Sequence, residues 1–127
     1  MVVTQLTPDP ILLGGVDLGT GGVIVTAPGN VNRLNDTKVS HFISRFFTPQ
    51  ASLFEDDVTG SAHCTLAPFW SERLNLKSLI AHQTSARGGW LSLQLHQEDQ
   101  GHGPDQNRIW ISGQAITYSE AILRIKR

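Results

Sequence analysis

From residue 55 to residue 74 the chain runs an acidic stretch, a Gly-Ser turn and an apolar helix end to end: Glu55-Asp56-Asp57-Val58-Thr59-Gly60-Ser61-Ala62-His63-Cys64, then Thr65-Leu66-Ala67-Pro68-Phe69-Trp70-Ser71-Glu72-Arg73-Leu74. The longer segments on either side read as strands and turns. One apolar helix set among strands must bury its apolar side against a sheet. The element order therefore predicts an α+β domain, a curved antiparallel sheet wrapped around a central helix. Pro68 predicts a kink or two short helical pieces, because it removes one N–H from the helical ladder, unless it falls within the first turns of a helix that starts near Cys64. Cys64 is the lone cysteine; it has no internal disulfide partner and is expected as a small buried apolar residue of the helix.

The flanking segments supply the sheet. Thr7-Pro8-Asp9-Pro10-Ile11-Leu12-Leu13 has a possible N-cap with its prolines in the first turn, which suits a short helix ended by Gly14-Gly15. Gly22 to Ala27 is a β-branched run bounded by glycines and by Pro28-Gly29, and reads as a buried strand. Gly19, Gly21 and Gly22 precede that strand, whereas a phosphate-cradling loop must follow a strand and open a helix, so a nucleotide loop fails on order. After a polar loop over Asn30 to Thr37, Val39 to Phe47 reads as a strand covered on both sides. Asn75 can close the central helix, Leu79 to Thr84 resumes an extended pattern, and Arg87-Gly88-Gly89 is a turn. Leu91, Leu93 and Leu95 alternate with polar residues, a loop over Gln97 to Asn107 follows, and Arg108 to Ser112 returns the chain. A last strand is expected over about Gln114 to Ile125.

The acidic stretch is where the sequence reads as chemistry. A helix N-terminus leaves backbone N–H groups without intrahelical partners and carries partial positive charge. Thr59, Gly60, Ser61 and Ala62 are therefore placed to hold a small carboxylic acid, substrate or ligand, while Asp56 just before them moves a proton. Composition narrows the partners. At 127 residues the chain is expected to form one domain, too short for two lobes with a cleft between them. Lysine and arginine number 10 against 11 acidic residues, with no long basic run, which argues against a nucleic-acid or anionic-membrane partner. No apolar run approaches the ~18 residues of a membrane span and no signal pattern opens the chain, so the expectation is a cytoplasmic protein. His41, His82, His96 and His102 lack ligand spacing, and no metal site is expected.

Gly22 to Ala27, Ser44-Arg45-Phe46-Phe47-Thr48-Pro49, the Glu55 to Cys64 run, Trp70-Ser71-Glu72-Arg73-Leu74 and Arg87-Gly88-Gly89 occur in the order seen in the second half of PhzF-like isomerases of phenazine biosynthesis, which this chain resembles over nearly its whole length. The resemblance implies one lobe, residues 1–127, of the diaminopimelate epimerase-like fold, in which two similar lobes enclose the active site. It implies a proton shift on a small carboxylic acid without a cofactor. Asp56 matches the second-lobe carboxylate, and Gly60 and Ser61 match the substrate-binding loop. His63 and Asp57 are possible secondary site residues; Asp57 stands where the family usually has proline. The family's first-lobe glutamate has no counterpart here, so the site is expected to be completed by a homodimer partner, with two Asp56 carboxyls facing each other as acid and base, or by a separate first-lobe chain. A non-catalytic module that binds small acids or another protein, and a truncated product without a selected role, are the alternatives.

Overall fold

The computed structural model describes residues 3–19, 21–30, 39–95 and 108–125. The loops expected over residues 30–37 and 97–107 fall largely or wholly outside those residues, as do His96 and His102. A 3-10 turn over Val3–Gln5 leads to a short helix α1, Pro10–Gly14, and then to strands β1, Val23–Pro28, and β2, Phe42–Phe47. A two-residue strand β3, Glu55–Asp56, precedes the main helix α2, Gly60–Leu74, and the strands β4, Ser78–Gln83, β5, Gly89–Leu95, and β6, Ile109–Gly113, follow. The six strands form one sheet in the order β1-β2-β4-β5-β6, with β3 added to β2.

The α+β class is as expected, with one correction to the antiparallel sheet: β2 and β4 are parallel neighbours. The connection between them passes through α2, and a crossover helix returns the chain in the same direction, whereas a hairpin would reverse it. The other pairings are antiparallel.

Helix α2 runs unbroken over 15 residues, so Pro68 does not divide it into two short pieces. Its buried residues Ala62, His63, Leu66, Ala67, Trp70 and Ser71 recur at three- and four-residue spacing and form one stripe. That stripe packs with Phe42 of β2, Leu79 and Ala81 of β4 and Leu91 and Leu93 of β5 into the core. Trp70 stacks on Phe42 at a ring separation of 5.6 Å, and its indole N–H donates to Thr26 Oγ1 at 2.9 Å, tying α2 to β1 as well. Pro68 and Cys64 lie on the opposite, exposed face. The N–H that proline lacks would have bonded the Cys64 carbonyl, so the gap opens to water while the packed face holds the helix together. Cys64 is exposed, not buried as expected, because it falls outside the stripe. Asn75 closes the helix in the left-handed region, φ 53°, and its N–H bonds the Ser71 carbonyl.

The N-cap expected within the Thr7 to Leu13 stretch is Asp9, which accepts from the N–H groups of Ile11 and Leu12 at 2.8 and 3.2 Å. Pro10 holds the residue before it extended, which is the backbone shape an N-cap needs. Residues 114–125 form no strand, and Ile116, Tyr118, Ile122, Leu123 and Ile125 are each more than 80% exposed. Alternation supplies a strand's side-chain pattern, but a strand also needs a neighbouring ladder to bond to. No helix among the described residues is long and apolar enough to cross a membrane.

Because the Pro68 gap lies on the solvent face, Pro68→Ala restores a helical hydrogen bond without disturbing the core. Chemical denaturation should show a gain of about 1–3 kcal/mol. A loss of stability would mean that the proline ring itself makes a needed contact.

Candidate active site at the start of the main helix

Strand β3 sends its two carboxylates to opposite faces of the sheet, as any pleated strand must. Glu55 meets Arg45 of β2 in a two-pronged ion pair, Nε to Oε1 at 2.6 Å and Nη2 to Oε2 at 2.8 Å. The remaining Arg45 nitrogen donates to the carbonyls of Val3 and Leu6, so this pair fastens the N-terminal segment to the sheet. The Glu55 hydrogen bond is the main cause that pushes the Arg45 pKa up, against the cost of burial. Glu55 is thereby committed to structure. Asp56, on the other face, receives the Thr59 hydroxyl on Oδ2 at 2.5 Å.

The segment from Asp56 to Thr59 is fitted against the β4–β5 hairpin. Gln83, 1% exposed at the end of β4, donates from Nε2 to the Asp56 carbonyl at 2.8 Å and to Thr59 Oγ1 at 3.2 Å, and accepts the Thr59 N–H on Oε1 at 2.9 Å. Ser85 donates its hydroxyl to the Asp57 carbonyl at 2.8 Å, and Arg87 pairs with Asp57 Oδ2 at 3.1 Å on the exposed side. A Cβ on Gly89 would overlap the Cγ2 methyl of Val58, so only glycine lets β5 approach this closely. Gly88 turns the hairpin with φ 72°.

Five of the expected site residues meet where this segment enters α2. Thr59 is the N-cap, yet its side chain makes no capping bond; the hydroxyl is directed to Asp56 instead. Its backbone N–H was expected to help hold a substrate carboxylate, but that N–H is taken by Gln83. Thr59 therefore serves Asp56, and the donors left at this helix end are the N–H groups of Gly60, Ser61 and Ala62. Gly60 and Ser61 are exposed and Ala62 is buried.

The two secondary candidates point elsewhere. Asp57 faces outward to Arg87. His63 is fully buried: Nδ1 donates to the Thr59 carbonyl at 2.7 Å, Nε2 lies 3.5 Å from Ser44 Oγ on β2, and the ring stacks on Phe42 at 5.9 Å. A carbonyl can only accept, so the proton sits on Nδ1. Burial pushes the His63 pKa below the usual 6.5, against the opposing pull of the Thr59 carbonyl. Among the described residues no three His, Cys, Asp or Glu side chains cluster as a metal site.

Gln83 was missed from the sequence. Its signal was present: Leu79, Ala81 and Gln83 occupy alternate positions on β4 and are all buried, which puts a polar residue in a core-facing row. Such a residue needs partners for every polar atom, and the acidic segment supplies them.

A helix seated on one face of a six-stranded sheet, with a carboxylate held at its N-terminus, defines an α+β lobe with its candidate site at the helix start. Residues 4–121 match the family described as phenazine biosynthesis-like protein (PhzC-PhzF), and the chain belongs to that family. An uncharacterised isomerase of Halalkalibacterium halodurans is 39% identical over 113 residues, which cover 89% of this chain and 36% of the relative. An uncharacterised isomerase of Pseudomonas aeruginosa is 37% identical over 97% of this chain and 40% of its own length. Among solved structures, a phenazine biosynthesis PhzC/PhzF protein from Clostridium difficile superimposes with a TM-score of 0.73 at 32% identity, covering 97% of this chain and 40% of that one. A PhzF family protein from Enterococcus faecalis gives a TM-score of 0.64 at 44% identity over 75% of this chain and 33% of that one. The chain thus spans 33–40% of these relatives' lengths.

Because His63 is held neutral by burial while the unfolded chain binds the proton at its ordinary value, the unfolded state carries more protons as the pH falls below 6.5. The His63 contribution to stability is therefore complete above pH 6.5 and declines below it. In His63→Gln the unfolding free energy measured from pH 7.5 downward should lose this part of its acid slope. An unchanged slope would show that His63 does not contribute to it.

Proposed function

We propose that this chain is the second lobe of a PhzF-like isomerase that moves a proton on a small carboxylic acid without a cofactor. Asp56 carries the proton, and the start of α2 holds the substrate carboxylate. One observation carries the reading: the Thr59 hydroxyl is given to Asp56 in place of a cap, which leaves the N–H groups of Gly60, Ser61 and Ala62 open immediately beside a carboxylate. An N-cap bond is worth about 1 kcal/mol, and an open helix end favours a bound anion electrostatically. The family membership and the relatives named as isomerases support the same reaction class.

In this scheme the Asp56 carboxylate accepts a proton from a carbon of the bound acid. The electron pair left behind delocalises through the substrate, and a second carboxyl group delivers a proton to another carbon. Atoms and electrons balance with no oxidant or reductant, as an isomerisation requires. The second carboxyl comes from a facing lobe, either a twofold-related copy of this chain or a separate first-lobe sequence. The exposed apolar residues between Ile116 and Ile125 fit a molecule that is covered by such a second body.

Asp56→Asn keeps the shape and removes the basic charge. It should lower solvent-deuterium incorporation into small aromatic or dicarboxylic acids by about 10²–10⁴-fold, followed by mass spectrometry, while Asp57→Pro retains it. In an NMR titration with the same acids, amide shifts should centre on residues 59–63. Unchanged exchange in Asp56→Asn would remove this residue from the mechanism and favour a binding module.

Sedimentation of the chain at micromolar concentration should show a dimer. Monomer alone would leave the separate first lobe as the partner.

A further inference from the structure

We propose that Gln83 is the positioning residue for Asp56: its carboxamide fixes the Thr59 hydroxyl as a donor to the Asp56 carboxylate. The functional weight of this assignment rests on Asp56 being the proton carrier. An amide nitrogen only donates and an amide oxygen only accepts. The Thr59 N–H can only donate, so Gln83 Oε1 must face it, at 2.9 Å. That orientation puts Nε2 against the Asp56 carbonyl at 2.8 Å and Thr59 Oγ1 at 3.2 Å, two acceptors for its two protons. With an N–H already on its oxygen, the Thr59 hydroxyl sends its own proton to Asp56 Oδ2, 2.5 Å away.

The chain of donors runs one way, from Gln83 through Thr59 to the carboxylate, and every polar atom of the carboxamide is used. Among the described residues only Oδ2 of Asp56 receives a side-chain or backbone hydrogen bond, so one carboxylate oxygen is anchored and the other is left for the substrate. Gln83 also grips the Asp56 main chain, so backbone and side chain of the proton carrier are set by the same group. Leu79 and Ala81 precede Gln83 on the buried side of β4, and an apolar side chain there would extend their row without needing any partner. The position is given instead to a group that orients Asp56.

The test is the Asp56 carboxyl resonance, read by carbon-13 NMR of this chain at one neutral pH. Gln83→Glu keeps the length and an acceptor for the Thr59 N–H but replaces the donor with a carboxylate. The Thr59 hydroxyl is then drawn to the new acceptor, and Asp56 loses its anchor. The Asp56 carboxyl resonance should shift. Thr59→Val removes the relay hydroxyl and leaves Gln83 intact; it should shift the resonance the same way, and it decides the matter if Gln83→Glu does not fold. Ser85→Ala, which cuts the neighbouring tie to the Asp57 carbonyl, should leave the resonance in place. A resonance unmoved in Thr59→Val and in folded Gln83→Glu would overturn the proposal, and so would an equal movement in Ser85→Ala, which would indicate general loosening of the segment. The measurement needs no turnover. Absence of exchange into any acid would therefore overturn the role of Asp56 as proton carrier and leave this result standing.

Discussion

The site depends on three hydrogen bonds made by one buried carboxamide. Gln83 sits where the core ends and the acidic segment begins, and it joins strand β4 to the start of helix α2 through Asp56 and Thr59. A buried amide left unpaired would cost about 1–3 kcal/mol, so the segment is constrained to the one arrangement that satisfies it. The position of Asp56, the missing cap on α2 and the open N–H groups of the helix start all follow from that arrangement. The Val58 packing against Gly89 and the Ser85 bond to Asp57 hold the same segment from β5 and the turn, so the hairpin frames the site from one side.

Three consecutive acidic residues meet three different fates, and strand geometry explains why. Glu55 and Asp56 belong to a paired strand, so they must face opposite sides of the sheet. Glu55 is drawn into a largely buried pair with Arg45, which also binds the N-terminal carbonyls; removing either partner would leave a buried charge unpaired. Asp57 has left the strand, and its exposed pair with Arg87 is worth little energetically. Only Asp56 combines a fixed carboxylate with an adjacent helix N-terminus. The one-letter pattern of an acidic run does not distinguish these roles, but the pairing of β3 with β2 does.

The helix is likewise decided by a balance of faces. Pro68 weakens α2 where it meets water, whereas Leu66, Ala67 and Trp70 bury the opposite side against the sheet. Packing of that stripe outweighs one missing hydrogen bond, and the helix stays whole. The same division places Cys64 in solvent and His63 in the core, one position apart.

The sequence by itself determined what short-range pattern can carry: the α+β order, the central helix, its close at Asn75, the strands β1, β2, β4, β5 and β6 within a few residues, and the placing of Asp56 just before Gly60 and Ser61. These follow from periodicity, turn chemistry and a motif whose residues are contiguous. What only the tertiary structure decided involves partners far apart in the chain. The parallel pairing of β2 with β4, the outward pairing of Asp57 with Arg87 and the hydrogen bonds of Gln83 each join groups separated in sequence, Gln83 and Thr59 by 24 positions. The alternation over residues 114–125 marks the same boundary from the other side. A strand's side-chain pattern is local, but its hydrogen bonds belong to whatever lies beside it, and no sequence window contains that neighbour.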